Sequence, residues 1–152
     1  MQRKKLAKLL KLIDLEIGKT ERRVSEAKKV ANEVAKTATT SWSAGGDREY
    51  AQSQSDILEG YYQTLKALGK EVGEVSTKEL PKAIESFSYL KVSIDSVVTN
   101  FFLVSTPLYL PNTKMISADS LFGRSLVGKR EGESYKLNLE GKEKTIVIIE
   151  VG

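Results

Sequence analysis

The chain has 152 residues, 40% hydrophobic and 29% charged, enough for one ordinary domain or two small units. It contains no Cys and no His, which excludes disulfides, thiolate chemistry, Ser-His-Asp and Cys-His catalysis, and the usual zinc sites. The net charge is +4, but residues 1–36 hold eleven Lys/Arg against five Asp/Glu, while residues 79–152 hold nine of each. That basic segment reads either as a solvated helix face or as a surface that attracts nucleic acid or an acidic protein. It lacks the interleaved aromatics of a single-strand binder, so direct nucleic-acid binding is the weaker of the two.

The opening "MQRKKLAKLLKLIDLEIG" is basic and then apolar. Lys8, Lys11, Asp14 and Glu16 break up the apolar run and no small-residue cleavage site follows, so it reads as the start of a helix in a cytoplasmic protein. No stretch of eighteen apolar residues occurs, and no membrane span is expected. From Leu6 the apolar positions step by fours and threes through Leu10, Ile13, Ile17, Thr20, Val24, Ala27, Ala31, Val34 and Ala38. A second series runs through Ala51, Gln54, Leu58, Tyr61, Leu65, Leu68, Val72 and Val75. Both are heptad seams, and the short break between them predicts an antiparallel coiled-coil hairpin over residues 1–77 with its tip at about 40–49. The first helix is expected to be on the order of 50 Å long. Its seam shrinks from Leu and Ile to Ala, which predicts close approach of the helices towards the tip.

Near "GEVSTKELPKAIESF" the helical register ends at Thr77, Glu79 and Pro81. "YLKVSID" and "SVVTNFFLVSTPLYL" then read as strands, being rich in β-branched and aromatic residues. In "ISADSLFGRSLVGK", Asp119 or Ser120 can cap a short helix that runs through Leu126 and is ended by Gly128. "ESYKLNLEGKEKTIVIIEVG" reads as a closing hairpin with Glu140-Gly141 at its turn. The expected fold class is therefore α+β: the helical hairpin, then a small antiparallel-sheet domain over residues 78–152 with one short helix.

The segment from Met115 to Gly152 resembles the C-terminal domain of the GreA/GreB transcript cleavage factor family. The matching residues are Ile116, Ser117, Ser120, Gly123, Arg124, Ser125, Leu126, Val127, Gly128, Lys129 and Gly132. Leu121 stands where the family usually has Pro, and Glu133 where it usually has Asp. The helical hairpin matches the family's N-terminal coiled coil, so the resemblance spans nearly the whole chain. It implies an FKBP-like globular domain, a likeness of fold without prolyl isomerase activity. It also implies docking on the rim of the RNA polymerase secondary channel, with the hairpin entering the channel and tip carboxylates reaching the polymerase active site. There they would help hold a Mg²⁺ shared with the polymerase, which cuts its own backtracked RNA. The chain itself is then no enzyme, binds no cofactor stably, and is expected to be a monomer.

Two sets of residues follow from the resemblance. At the tip, "GGDREYA" offers Asp47 and Glu49 as the catalytic and Mg²⁺-binding carboxylates, but neither alignment to the family pattern keeps the full pair. On a helix, residues two apart point about 200° apart, so these two converge only if Asp47 lies in the loop, for example as the cap of the second helix. Trp42, in a short polar connection, is a candidate contact residue. In the globular domain, Asp119, Ser120, Leu121, Phe122 and Arg124 are the candidate docking residues. A purely architectural reading instead packs Leu121, Leu126 and Val127 inward. Two alternatives stand beside cleavage stimulation: a channel binder that inhibits or competes with cleavage factors, and a coiled-coil interaction module outside transcription.

Overall fold

A computed structural model describes residues 3–37 and 44–152, with the backbone alone for Thr37 and residues 44–48. The chain folds as two helices, α1 (Lys4–Thr37) and α2 (Ala44–Ser76), followed by five strands and a short helix. It divides into two compact units, Lys11–Lys70 and a second made of Met1–Leu10 with Glu71–Gly152. The boundaries thus fall inside the two helices, whereas the division at 77/78 expected above coincides with a helix end.

In the Lys11–Lys70 unit the helices pair antiparallel. The Cβ position of Gly69 lies 3.1 Å from Ile13 Cγ2 and 3.4 Å from Ile17 Cδ1. Further along, Lys28 Nζ of α1 meets Glu59 Oε2 of α2 at 3.4 Å. Gly69 is thus the residue that lets two Ile side chains reach the facing helix. Ile13, Thr20, Val24 and Ala31 are buried and Ile17, Ala27 and Val34 half-buried, as the seam requires. On α2, Leu65 and Leu68 are buried, but Gln54 is exposed and its neighbour Ser55 takes the inward position. From Leu58 a step of either three or four lands on the same helix face, and the smaller side chain occupies the seam.

The small-residue end of the seam does not close tightly. Ala31, Asn32 and Ala35 of α1, with Glu49, Gln52, Ser53, Asp56 and Ile57 of α2, line an open groove of about 590 Å³. Close approach of the helices was expected there. Ala withdraws side-chain volume, and the polar residues of α2 opposite it keep their solvent instead of filling the space.

The other unit is built on a five-stranded sheet of β1 (Ser88–Ile94), β2 (Val97–Val104), β3 (Met115–Ser117), β4 (Ser134–Leu139) and β5 (Lys142–Val151), in the order β3-β2-β1-β5-β4. The short helix α3 (Leu121–Leu126) lies between β3 and β4 in sequence. Residues alternate along the strands, so Leu90 and Val92, Phe101 and Leu103, and Ile146 and Ile148 share one face. With Ile84, Ala118 and Leu126 they form the core. Two hairpins close through two-residue turns with positive φ at both positions: Asp95-Ser96 (48° and 71°) and Glu140-Gly141 (53° and 79°). Such turns match the right-handed twist of the flanking strands. The first is tied to β5, because Thr145 N–H donates to Asp95 Oδ1 at 2.8 Å.

The sheet is mixed rather than antiparallel, which corrects the expectation above. β3 pairs parallel with β2, Phe102 opposite Met115 through Val104 opposite Ser117. Residues 105–114 form a connection long enough to carry the chain back along β2 before β3 begins.

The first turn of α1 belongs to this unit. Leu6 and Leu9 are buried, and Arg3 is almost wholly enclosed. Arg3 Nη2 donates to Phe87 O at 3.0 Å and to Gly152 O at 2.8 Å, and its backbone N–H donates to Ser76 O at 3.2 Å. Burial pushes the guanidinium pKa down, and the negative charge of Glu85 opposes the shift. Two carbonyl bonds and a longer one to Ser88 Oγ at 3.4 Å partly offset the cost of enclosing the cation, while Nε has no hydrogen-bond partner among the described residues.

Candidate functional site

Two regions carry the candidate residues, one in each unit. In the Lys11–Lys70 unit, Trp42 lies outside the described residues. α2 begins at Ala44, so Asp47 stands inside its first turn, although its side chain is outside the described residues. The loop or capping position that would let Asp47 and Glu49 converge is therefore not where the backbone puts Asp47. The backbone positions of Asp47 and Glu49 follow each other by two residues on one helix, which sets them about 200° apart around its axis. Glu49 is exposed and lines the groove beside Ala35 and Gln52. Among the described residues no group of three or more acidic side chains is placed to hold a metal ion.

The second region is the segment from Ser117 to Gly132, where small side chains do architectural work. Ser120 is the N-cap of α3, with its hydroxyl accepting from Gly123 N–H at 3.0 Å and donating to Ser117 O at 2.7 Å. Asp119 N–H donates to Ser117 Oγ at 3.1 Å, which leaves the Asp119 side chain exposed. Gly123 is buried, and a Cβ there would collide with Ser117 O and lie 2.9 Å from Ala118 Cα. Gly128 follows the helix with φ of +88°, its N–H donating to Ile84 O at 2.9 Å while Ile84 N–H donates to Lys129 O at 2.8 Å. Gly132 repeats that φ and donates to Ile148 O at 2.7 Å. Ser117, Ser120, Gly123, Gly128 and Gly132 are thus accounted for by turns, a cap and one close backbone contact.

The helix faces are then fixed. Leu126 is buried, and Phe122 packs against the core with its ring 5.7 Å from that of Phe101. Phe122 is therefore a packing residue rather than an open contact. Leu121 and Val127 are exposed, where the architectural reading had them packed inward. Asp119, Leu121, Arg124 and Val127 make a surface of two apolar and two oppositely charged side chains around one short helix. Val127 was missed as a surface residue. Val127 is the C-cap, with ψ of 131°, so the backbone leaves the helix there and the side chain turns to the surface. Beside α3, the Tyr135 hydroxyl and Ser125 Oγ are 2.8 Å apart, and Lys129 Nζ lies 5.0 Å from the Tyr135 ring centre. Burial raises the Tyr135 pKa and the Ser125 hydrogen bond works against that rise, so the phenol stays neutral at physiological pH.

The fold and this surface define a class: an α+β protein that joins a helical hairpin to a small mixed sheet carrying an exposed short helix. No family model matches the chain, and no curated protein matches it. Solved structures similar to it include the transcription factor Gfh1, at 17% identity over 93% of this chain and 92% of that one, with a TM-score of 0.41. Thermus aquaticus Gfh1 aligns at 19% identity over 91% and 90%, with a TM-score of 0.40. The transcription elongation factor GreA/GreB from Nitrosomonas europaea aligns at 19% identity over 57% and 78%, with a TM-score of 0.39. At such identities and scores the likeness carries no inference about activity.

Proposed function

We propose that the chain is a Gre-like regulator of transcription that binds RNA polymerase at the rim of its secondary channel. The observation that carries this reading is the α3 surface. The matched small residues are all consumed in shaping the segment, and what they present outward is Asp119, Leu121, Arg124 and Val127. An exposed Leu and Val flanked by an Arg and an Asp suits a helical partner surface with apolar and charged side chains. On this reading the hairpin enters the channel, and the chain acts in the cytoplasm as a partner of the polymerase rather than as an enzyme.

A channel binder without cleavage activity is favoured over a cleavage stimulator by the spacing of Asp47 and Glu49. Backbone positions two residues apart on one helix lie about 200° apart around its axis, which does not suit two ligands of one ion. On this reading the tip does not hold a shared Mg²⁺ in the family manner. The test is transcript cleavage by stalled, backtracked polymerase with and without the protein. Capture of core polymerase with no faster cleavage, together with displacement of a cleavage factor, supports the proposal. Faster cleavage that Asp47→Ala with Glu49→Ala abolishes would overturn the second part. Failure to capture polymerase at all would overturn the first and leave the interaction-module alternative.

A further inference from the structure

The packing of the Lys11–Lys70 unit leaves two complementary strips uncovered. On α1, Leu12 is 49% and Leu15 60% exposed, although both are Leu on an otherwise charged helix face. Exposed Lys11, Lys19 and Arg22 lie on the same side at helical spacing, and a Cβ at Gly18 would meet nothing within 4 Å. None of these three cations has an ion-pair partner among the described residues. On α2, Tyr50 is 70% and Ile57 63% exposed, seven residues apart with exposed Ser53 between them. Glu49 and Asp56 each precede one of these apolar residues, and both line the groove of about 590 Å³ together with Ser53 and Ile57.

We infer that these strips bind each other between two copies of the chain, so that the protein self-associates through its helices. Leu12 and Leu15 of one copy fill the groove over Ser53, between Tyr50 and Ile57 of the second. Lys11, Lys19 and Arg22 then face Glu49 and Asp56. Lys11 to Arg22 spans about 16 Å of helix and Glu49 to Ile57 about 12 Å, so the α1 strip is long enough to cover the α2 strip. Each strip supplies what the other lacks: unpaired positive charge against negative charge, and apolar side chains against an open groove. Every copy carries both strips, so the α1 strip of one copy can seat in the groove of a second. A weak dimer in place of the expected monomer follows, independent of any role in transcription.

Sedimentation of the full chain from micromolar to millimolar concentration, at low and high salt, tests this. The expected result is a concentration-dependent dimer at low salt that dissociates at high salt, since the charged rim is solvent-exposed. Leu15→Glu should weaken it roughly tenfold or more, the loss expected from one unburied Leu. Lys19→Glu with Arg22→Glu should abolish it, and adding Glu49→Lys with Asp56→Lys should restore it. Circular dichroism reports whether each variant keeps its helices, and the salt dependence of the unmodified protein stands whatever the variants do. A monomer at every concentration, or a dimer indifferent to salt and to these changes, overturns the inference.

Discussion

Gly123 stands where any side chain would run into the Ser117 carbonyl, so its replacement has nowhere to go. Gly123→Ala is expected to cost about 2 kcal/mol or more, read as a lower urea midpoint with unchanged slope. Gly60 is the opposite case: it lies within α2, and a Cβ there meets nothing within 4 Å. Gly60→Ala should therefore raise stability by roughly 0.5–1 kcal/mol in the same measurement. From sequence these are two identical letters. Gly123 sat in a recognisable motif, but only the backbone of a neighbouring strand shows that the reason is steric. Arg3 was equally opaque, because a Lys/Arg-rich start reads as solvated, and its partners at Phe87 and Gly152 are remote in the chain.

The helices were the most legible elements, since a heptad seam depends only on spacing within one segment. Nearly every seam position of α1 is inward, and the single slip on α2, Ser55 for Gln54, is between neighbours. What spacing could not show is how well the seam packs, because that depends on what stands opposite. The groove beside Ala31 and Ala35 predicts a gradient of protection within the Lys11–Lys70 unit. Amides of residues 49–57 should exchange faster with deuterium than those of 65–70, where Leu65 and Leu68 are buried. Equal protection would contradict it. The Lys28–Glu59 pair bridges the helices near the same place. A hydrogen bond from Gln63, with Lys28 adding to it, holds the Glu59 carboxyl below its usual pKa against partial desolvation. A carboxyl with a lowered folded-state pKa stabilises the fold above its unfolded value, near 4.3, and loses that contribution as pH falls through the folded value. Glu59→Gln should accordingly flatten the acid limb of the stability profile below about pH 5.

For the whole molecule, the class of fold could be read from the order of patterns, helices first and strands after. The parallel pairing of β3 could not, because three residues with no alternation give no strand signal and their partner is set by the returning connection. The exposure of the α3 segment was half legible: Asp119, Leu121 and Arg124 do lie on the surface, whereas Phe122 packs on the core beneath. If Leu121 and Arg124 anchor a polymerase contact, Leu121→Ala and Arg124→Ala should each weaken capture of core polymerase by roughly tenfold, as central interface residues do. Phe122→Ala should instead lower the stability of the sheet unit by about 3 kcal/mol or less, since the ring is only partly buried. Unchanged capture by both surface variants would move the contact elsewhere.

The hydrogen bond from Arg3 to Gly152 joins residues 149 positions apart. Residues at the start of α1 are therefore made early yet cannot find their place until β5 exists. Until then Leu6 and Leu9 are apolar side chains without a core, and Arg3 is a cation with no carbonyls to meet. The Lys11–Lys70 unit needs only two helices adjacent in sequence, and its contacts are local. The two units are thus expected to form in sequence order of completion, the helical pair first and the sheet unit last and more slowly, because its closing contacts span nearly the entire chain.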